Sequence, residues 1–114
     1  DLFVSNKELC WNSNNPVIVS SGLSLVKGSN KNWTGFIYDH LEGITPLVVV
    51  DLEYVVPDGR ILIVTSTRSI VLPDINWYSI EYPKNPIVIP SSTKVRQGSE
   101  VQGWTGYLID PTKF

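Results

Sequence analysis

The sequence predicts a single all-β domain, an antiparallel β-sandwich of jelly-roll type, with an immunoglobulin-like sandwich as the alternative. Three observations favour this fold class. Short apolar runs rich in β-branched residues follow one another along the 114 residues, and none shows helical periodicity over three turns. Most of the eight prolines and eight glycines fall between these runs. A chain of this length, residues 1–114, buries one core without disulfide bonds.

The first third of the chain predicts short strands separated by polar loops. We expect a hairpin between residues 2–4 and 8–11, because the polar sequence Ser5-Asn6-Lys7 separates two short apolar runs. Further strands are expected in this part at 17–19, 23–26 and 33–41.

The longest apolar stretch, residues 47–65, predicts a β-hairpin around Pro57-Asp58-Gly59. One face of this hairpin is apolar apart from a phenol and is expected to face the core: Val48, Val50, Leu52, Tyr54, Leu62 and Val64. The other face mixes charged and apolar side chains. It is expected either to lie at the rim of a second sheet or to form an oligomer interface through Asp51, Glu53, Val55, Ile61 and Ile63.

Five further strands are expected after this hairpin, because apolar runs alternate with turn formers such as Pro73-Asp74 and Pro90. The expected ranges are 69–72, 77–82, 87–89, 93–96 and 101–109.

One seven-residue pattern occurs twice. Residues 33–39, Trp-Thr-Gly-Phe-Ile-Tyr-Asp, match residues 104–110, Trp-Thr-Gly-Tyr-Leu-Ile-Asp, at four of seven positions. Two copies do not make a solenoid, which needs at least ~3 repeats. The pattern predicts two equivalent core strands, paired or facing each other, with a paired binding site as the alternative. Each glycine is expected to let a neighbouring backbone or ring come close.

Composition excludes several functions. The net charge is −2 and no basic stripe is present, so we expect no nucleic-acid partner. No apolar run is long enough to span a bilayer, so membrane insertion is not expected. No His/Cys cluster or acidic calcium loop occurs, so no metal or other cofactor is expected. The chain begins at Asp1 and has no Met, so we expect it to belong to a larger protein.

No catalytic signature stands out. His40 is the only histidine and is expected in a loop, and no Gly-x-Ser-x-Gly elbow is present. Asp51 and Glu53 share a predicted strand face, so a small glycoside hydrolase that uses them is one alternative, provided that they line a pocket. We expect a protein that is not an enzyme.

Aromatic side chains are the most suggestive remaining feature. Most of the four tryptophans are expected in the core because of the area that each one buries. Rings that stay exposed beside Asn or Asp can stack on sugar rings and bond their hydroxyls. The candidate ligand-binding residues are Trp77, Tyr78, Asn76, Asn30 and Asn32.

Two segments resemble the β-sandwich tip or head domains, also called knobs, of bacteriophage tail fibres and tail needles. They are residues 98–110, Gly-Ser-Glu-Val-Gln-Gly-Trp-Thr-Gly-Tyr-Leu-Ile-Asp, and residues 52–56, Leu-Glu-Tyr-Val-Val. The resemblance implies a homotrimer on a virion or extracellular surface whose loops contact a host glycan or protein. We therefore expect a receptor-binding attachment domain, with carbohydrate as the first choice of ligand. The alternative is a structural assembly module of a virion or cell-surface complex.

Overall fold

The structure is a computed structural model that describes residues 2–4, 7–9, 15–27, 33–98 and 103–114. Near the N-terminus, three short antiparallel strands form a sheet with Leu2–Val4 (β1) between Lys7–Leu9 (β2) and Leu25–Lys27 (β3). The predicted first hairpin is therefore confirmed, although residues 10–11 of its second strand lie outside the described residues.

Two other strands predicted in this part differ from the structure. The strand expected at 23–26 is found at Leu25–Lys27. The strand expected at 17–19 is wrong, because these residues join no strand ladder. Ile18 instead donates its backbone N–H to Thr105 Oγ1 at 2.9 Å, so a side chain replaces the ladder partner.

Eight strands form two antiparallel four-stranded sheets that pack face to face, which confirms the β-sandwich. The first sheet contains Ile44–Val49 (β4), Ile61–Ser66 (β6), Ile87–Ile89 (β9) and Trp104–Ile109 (β11). The second contains Glu53–Val55 (β5), Ser69–Leu72 (β7), Tyr78–Glu81 (β8) and Lys94–Gln97 (β10). Their strand orders are β4-β11-β6-β9 and β5-β10-β7-β8.

The strand pairing is that of a jelly roll. The first strand of the sandwich pairs with the last, β4 with β11, and the pairs that follow inward are β5 with β10, β6 with β9 and β7 with β8. The chain is thus one long folded hairpin wound into two sheets. The jelly-roll prediction is confirmed. The immunoglobulin-like alternative is wrong, because that fold places its first and last strands in different sheets.

The later strands follow their predictions closely. β7 and β9 begin and end where the sequence predicts. β8 and β10 each begin one residue later than expected. β11 begins at Trp104, and residues 101–102 of the predicted strand lie outside the described residues.

The predicted central hairpin is wrong, although its turn exists. The N–H of Arg60 donates to the carbonyl of Pro57 at 3.2 Å, so the chain turns where the sequence predicts. Before the turn, however, β5 belongs to the second sheet, and after it β6 belongs to the first. The turn therefore connects opposite layers of the sandwich. Alternating apolar residues are compatible with either arrangement. A period of two indicates on which face of a sheet each side chain lies, but it does not identify the neighbouring strand.

The core between the sheets is apolar. Its buried members are Val49, Val56, Leu62, Val64, Ile70, Leu72, Ile89, Val95 and Trp104. Trp104 of the first sheet meets Tyr54 of the second edge to face, with ring centroids 5.6 Å apart. Burial raises the pKa of the Tyr54 phenol above its ordinary value.

The core face predicted for the central stretch is partly correct. Leu62 and Val64 are buried, and Tyr54 packs against the core as expected. Val50 and Leu52 are exposed, which contradicts the prediction. Val48 and Val50 alternate with the buried Val49, so both lie on the outer side of β4, and the prediction reverses the two faces of this strand. Leu52 lies in the bend that leads from β4 to β5.

Gly106 in β11 confirms the close approach expected at the second copy of the repeated pattern. A Cβ atom on Gly106 would lie 2.1 Å from the carbonyl oxygen of Ile63 in β6. The β11–β6 register also shifts between Thr105 and Gly106. The backbones of these strands therefore meet at a distance that no side chain tolerates.

The first copy of the pattern behaves differently. Residues 33–42 join no strand ladder, and the side chains of 33–41 are exposed, so the strand predicted at 33–41 is wrong. A Cβ atom on Gly35 would have no neighbouring atom within 4 Å, in contrast to Gly106. The two copies are thus not equivalent core strands. They do not form a paired binding site either, because Trp104 is buried in the core.

Asp110 follows β11 and contacts both the 3₁₀ helix after it and Arg60. Its Oδ1 accepts hydrogen bonds from the backbone N–H of Thr112 at 3.1 Å and from its hydroxyl at 2.7 Å, capping the 3₁₀ helix Pro111–Lys113. Its Oδ2 lies 3.4 Å from Arg60 Nη1. The hydrogen bonds from Thr112, followed by the charges of Arg60 and Lys113, lower the pKa of the Asp110 carboxyl below its ordinary value.

The two glycines of the repeated pattern provide a matched pair of variants. We expect Gly106→Ala to lower the free energy of unfolding by roughly 2 kcal/mol or more, because its Cβ would collide with backbone. Gly35→Ala should change it by less than about 0.5 kcal/mol, because the space around it is open. Urea unfolding of both variants checks this, and equal losses would contradict the packing described for β11.

The lowered pKa of Asp110 predicts a pH-dependent stability. A carboxyl whose folded-state pKa is depressed stabilises the fold above its unfolded pKa, and this contribution is lost as pH falls through the folded value. Asp110→Asn should therefore be less stable than wild type at neutral pH. The difference should shrink as the pH falls below ~4, the pKa of a free aspartate, and then through the lower folded pKa. Thermal unfolding across this range measures it, and a constant difference would contradict the assignment.

Candidate functional site

The outer face of the second sheet carries charged side chains. Arg96 of β10 lies opposite Glu53 of β5, and Lys94 lies opposite Val55. Arg96 Nη1 is 3.2 Å from Glu53 Oε2, and Lys94 Nζ is 3.9 Å from Glu53 Oε1. Exposed ion pairs of this kind contribute only ~0–1 kcal/mol to stability. Their main effect here is to hold one carboxylate between two cations.

Trp77 is presented by the turn between β7 and β8. The N–H of Tyr78 donates to the carbonyl of Ile75 at 3.0 Å, which closes the turn. Asp74 Oδ2 accepts the backbone N–H of Lys94 at 3.1 Å and ties the turn to β10. The backbone that carries Trp77 is therefore held by hydrogen bonds from residues on both sides of it in sequence.

The backbone of this turn is strained. Asn76 has φ 51° and Trp77 has φ 56°. Asn tolerates this left-handed region, but a bulky residue there is an outlier. Strain of this kind costs about 1–3 kcal/mol per residue and is found most often at functional sites.

The indole of Trp77 lies beside the charged face. Its ring centroid is 6.0 Å from Cζ of Arg96, at the outer limit of a cation–π contact. Trp77 is nevertheless 62% exposed, so most of the ring remains open to solvent. Glu53, Lys94, Arg96 and Trp77 together form a continuous surface that we call the aromatic–charged strip.

Two exposed tyrosines lie at the ends of β8. Tyr78 follows Trp77 directly, and Tyr82 is one residue beyond the strand. The hydroxyl of Tyr82 accepts a hydrogen bond from Arg68 Nε at 2.9 Å. Its backbone is also left-handed, with φ 47°. The edge strand β8 therefore has an exposed aromatic ring at each end.

Three of the five predicted ligand-binding residues lie in the described part of the chain. Asn76, Trp77 and Tyr78 are brought together in the turn. Asn30 and Asn32 lie outside the described residues. Whether any of these residues binds a ligand stays a prediction.

Sequence reasoning misses Lys94 and Arg96 as neighbours of Trp77. Their spacing of two on a predicted strand places them on one face, which is the available signal. It does not reveal that β7 lies between β10 and β8 and brings the turn of Trp77 beside them. The expectation that most tryptophans are core is wrong for the described side chains. Of these, Trp104 is buried, whereas Trp33 and Trp77 are exposed.

The residues expected to form one oligomer interface do not share a face. Asp51, Glu53 and Val55 are exposed on or beside β5 in the second sheet, whereas Ile61 and Ile63 belong to β6 in the first sheet. The single mixed face is therefore wrong, because the hairpin that would create it does not form. The homotrimer stays a prediction.

The hydrolase alternative lacks its required geometry. Asp51 and Glu53 are both exposed, and Glu53 is paired with Arg96 and Lys94, so they do not line a pocket as the hypothesis requires. His40 is exposed in the loop that precedes β4. Within the described ranges, no group of three or more His, Cys, Asp or Glu side chains could hold a metal ion.

Comparison of the chain with protein-family models, with curated proteins and with solved structures finds no match. In the described part of the chain, no helix has the length and hydropathy needed to cross a bilayer.

Proposed function

We propose that this domain is a non-enzymatic attachment module that binds carbohydrate on a cell surface through the aromatic–charged strip. The observation that supports this most is the placement of Trp77, which is 62% exposed although its turn is fixed and strained. An exposed indole contributes little burial energy to the fold, and its left-handed backbone adds a cost. The free energy of contact with a bound partner offsets both the low burial of the indole and the cost of its backbone conformation.

The strip suits the chemistry of a sugar. A pyranose ring has an apolar C–H face that stacks on an aromatic ring, surrounded by hydroxyl groups that donate and accept hydrogen bonds. Trp77 offers the flat surface, and Glu53 offers carboxylate acceptors. Arg96 and Lys94 offer charged donors. Asn76 precedes the indole in the same turn and is exposed. Tyr78 is also exposed, but its pairing with the buried Leu72 places its side chain on the other side of the sheet from Arg96.

The fold is compatible with this function but does not determine it. Jelly rolls are used by viral capsid proteins and by lectins, and also by unrelated proteins such as cupins. The strip is open and shallow, so a single chain is expected to bind weakly. Several copies in a homotrimer on a virion or another extracellular surface would raise the avidity without a new contact.

The two exposed tryptophans give a matched test. We expect Trp77→Ala to weaken binding of the best glycan from an array at least tenfold, or about 1.4 kcal/mol, because the stacking surface is lost. Trp33→Ala should leave the affinity of a single site unchanged, because Trp33 lies outside the strip. NMR titration with a monovalent form of that glycan measures both variants. Absence of any glycan binding, or equal affinities for Trp77→Ala and wild type, would contradict carbohydrate recognition at this strip.

A further inference from the structure

Residues 33–41 form an exposed apolar arm. Its large apolar side chains are Trp33, Phe36, Ile37, Tyr38 and Leu41, with exposed fractions between 51% and 102%. The arm leads into β4 through a turn in which the N–H of Ile44 donates to the carbonyl of Leu41 at 3.2 Å. This is the largest run of exposed apolar side chains in the described part of the chain, and such runs are typical of protein contacts.

The arm is apolar on both of its sides. Phe36 and Tyr38 lie on the same side, with ring centroids 6.0 Å apart, as expected for residues two apart in an extended chain. The intervening Ile37 therefore points the other way and is fully exposed. Extended segments with apolar residues on both sides are typical of strands that are covered on both sides.

The outer face of the first sheet is apolar as well. Because Leu62 and Val64 point into the core, Ile61 and Ile63 point outward. The strand registers place further apolar residues beside them. We call the whole set the apolar outer face: Ile44, Pro46, Val48, Ile61, Ile63, Val88, Tyr107 and Ile109. It contains no charged residue, in contrast to the outer face of the second sheet.

Part of this sheet is covered by the chain itself. The N–H of Ile18 donates to Thr105 Oγ1 at 2.9 Å, and Asn15 Nδ2 donates to the carbonyl of Lys84 at 3.2 Å. Residues 15–18 therefore cross the sheet near Thr105. Val88, on the edge strand β9, is still 66% exposed, and the other seven members of the apolar outer face are half-buried.

The edges of the first sheet are poor sites for an added strand. Pro46 lies within the edge strand β4 and has no N–H to offer. The other edge strand, β9, is three residues long and is flanked by Pro86 and Pro90. Short edge strands and prolines prevent further pairing. A partner therefore gains more by lying on the face than by extending the sheet.

We propose that the arm of one chain docks onto the apolar outer face of a second copy of this chain. In its own chain the arm is exposed, and folding back would cover only one of its apolar sides. In an assembly of copies, one side of the arm contacts the outer face of the neighbour, and the other side packs against a second arm. Both surfaces then lose their contact with water. This inference does not depend on carbohydrate binding.

The area available is sufficient for a stable contact. With roughly 200 Å² for each large side chain, the exposed fractions correspond to on the order of 700 Å² of apolar surface on each arm. A standard interface buries about 800 Å² per partner. Reciprocal docking of two arms therefore exceeds this size, because each copy contributes both an arm and a face.

Light scattering on matched variants tests the inference. We expect wild type to have at least twice the single-chain mass of 12.8 kDa, and Phe36→Ser/Ile37→Ser to have the single-chain mass. Val88→Lys, on the proposed docking face, should also weaken assembly at least tenfold. Val55→Ser is the control and should assemble like wild type, because Val55 is similarly exposed on the second sheet. Circular dichroism of each variant checks that it is folded.

Two results of this measurement would overturn the inference. One is a wild-type chain that stays monomeric at every concentration. The other is assembly that is lost in Val55→Ser but kept in Phe36→Ser/Ile37→Ser.

Cross-linking identifies the surface that the arm contacts. A photoreactive residue at position 37 in isotope-labelled chains, mixed with unlabelled chains, reports contacts between copies. Cross-links to 61–63, 86–89 or 107–109 of the other copy support docking on the apolar outer face. Since the two sides of the arm meet different surfaces in this assembly, the probe is placed in turn at position 36 and at position 37. Cross-links within one chain, or only between two arms from both positions, contradict it.

Discussion

Insertion of β11 between β4 and β6 is the constraint on which the rest of the structure depends. β11 is the last strand of the chain, and it pairs with β4, the first strand of the sandwich. Without it, β4 has no partner in the first sheet. The same strand carries Trp104, which fills the space between the layers and contacts Tyr54. Gly106 makes the insertion possible, because any side chain there would collide with the backbone of Ile63.

Closure of the sandwich produces two outer faces of opposite character. The second sheet presents Glu53, Lys94 and Arg96 to solvent, with the indole of Trp77 beside them. The first sheet presents aliphatic side chains and a phenol. Charged groups are costly to bury, whereas apolar surface gains free energy on burial. The charged face of the second sheet therefore suits a hydrated ligand such as a sugar, and the apolar face of the first sheet suits a protein surface.

Many strand positions and turns follow from the sequence, because they are local properties, although the strands predicted at 17–19 and 33–41 are wrong. The turn after Pro57 and the strands 69–72 and 87–89 follow from turn residues and β-branched runs. The partner of each strand was not accessible in the same way. Whether β5 and β6 join the same sheet or different sheets depends on their pairing with β10 and β11, which lie far along the chain.

The repeated pattern also shows that local sequence does not determine the surroundings of a segment. Residues 33–39 and 104–110 are nearly the same in type, yet one copy is exposed and the other lies in the centre of a sheet. They differ in exposure because residues 104–109 pair with β4 and β6, whereas residues 33–39 pair with no strand. The turn of Trp77 illustrates this too, since its aromatic residues are visible in the sequence but its ion-pair neighbours come from β5 and β10.

The most direct test of two unlike outer faces is hydroxyl-radical footprinting of the tryptophans at low and high protein concentration. Trp33 lies on the arm, Trp77 on the aromatic–charged strip and Trp104 in the core. We predict that oxidation of Trp33 falls as concentration rises, that Trp77 stays reactive, and that Trp104 is protected throughout. Protection of Trp77 while Trp33 stays reactive, or no change at either residue, would contradict the account.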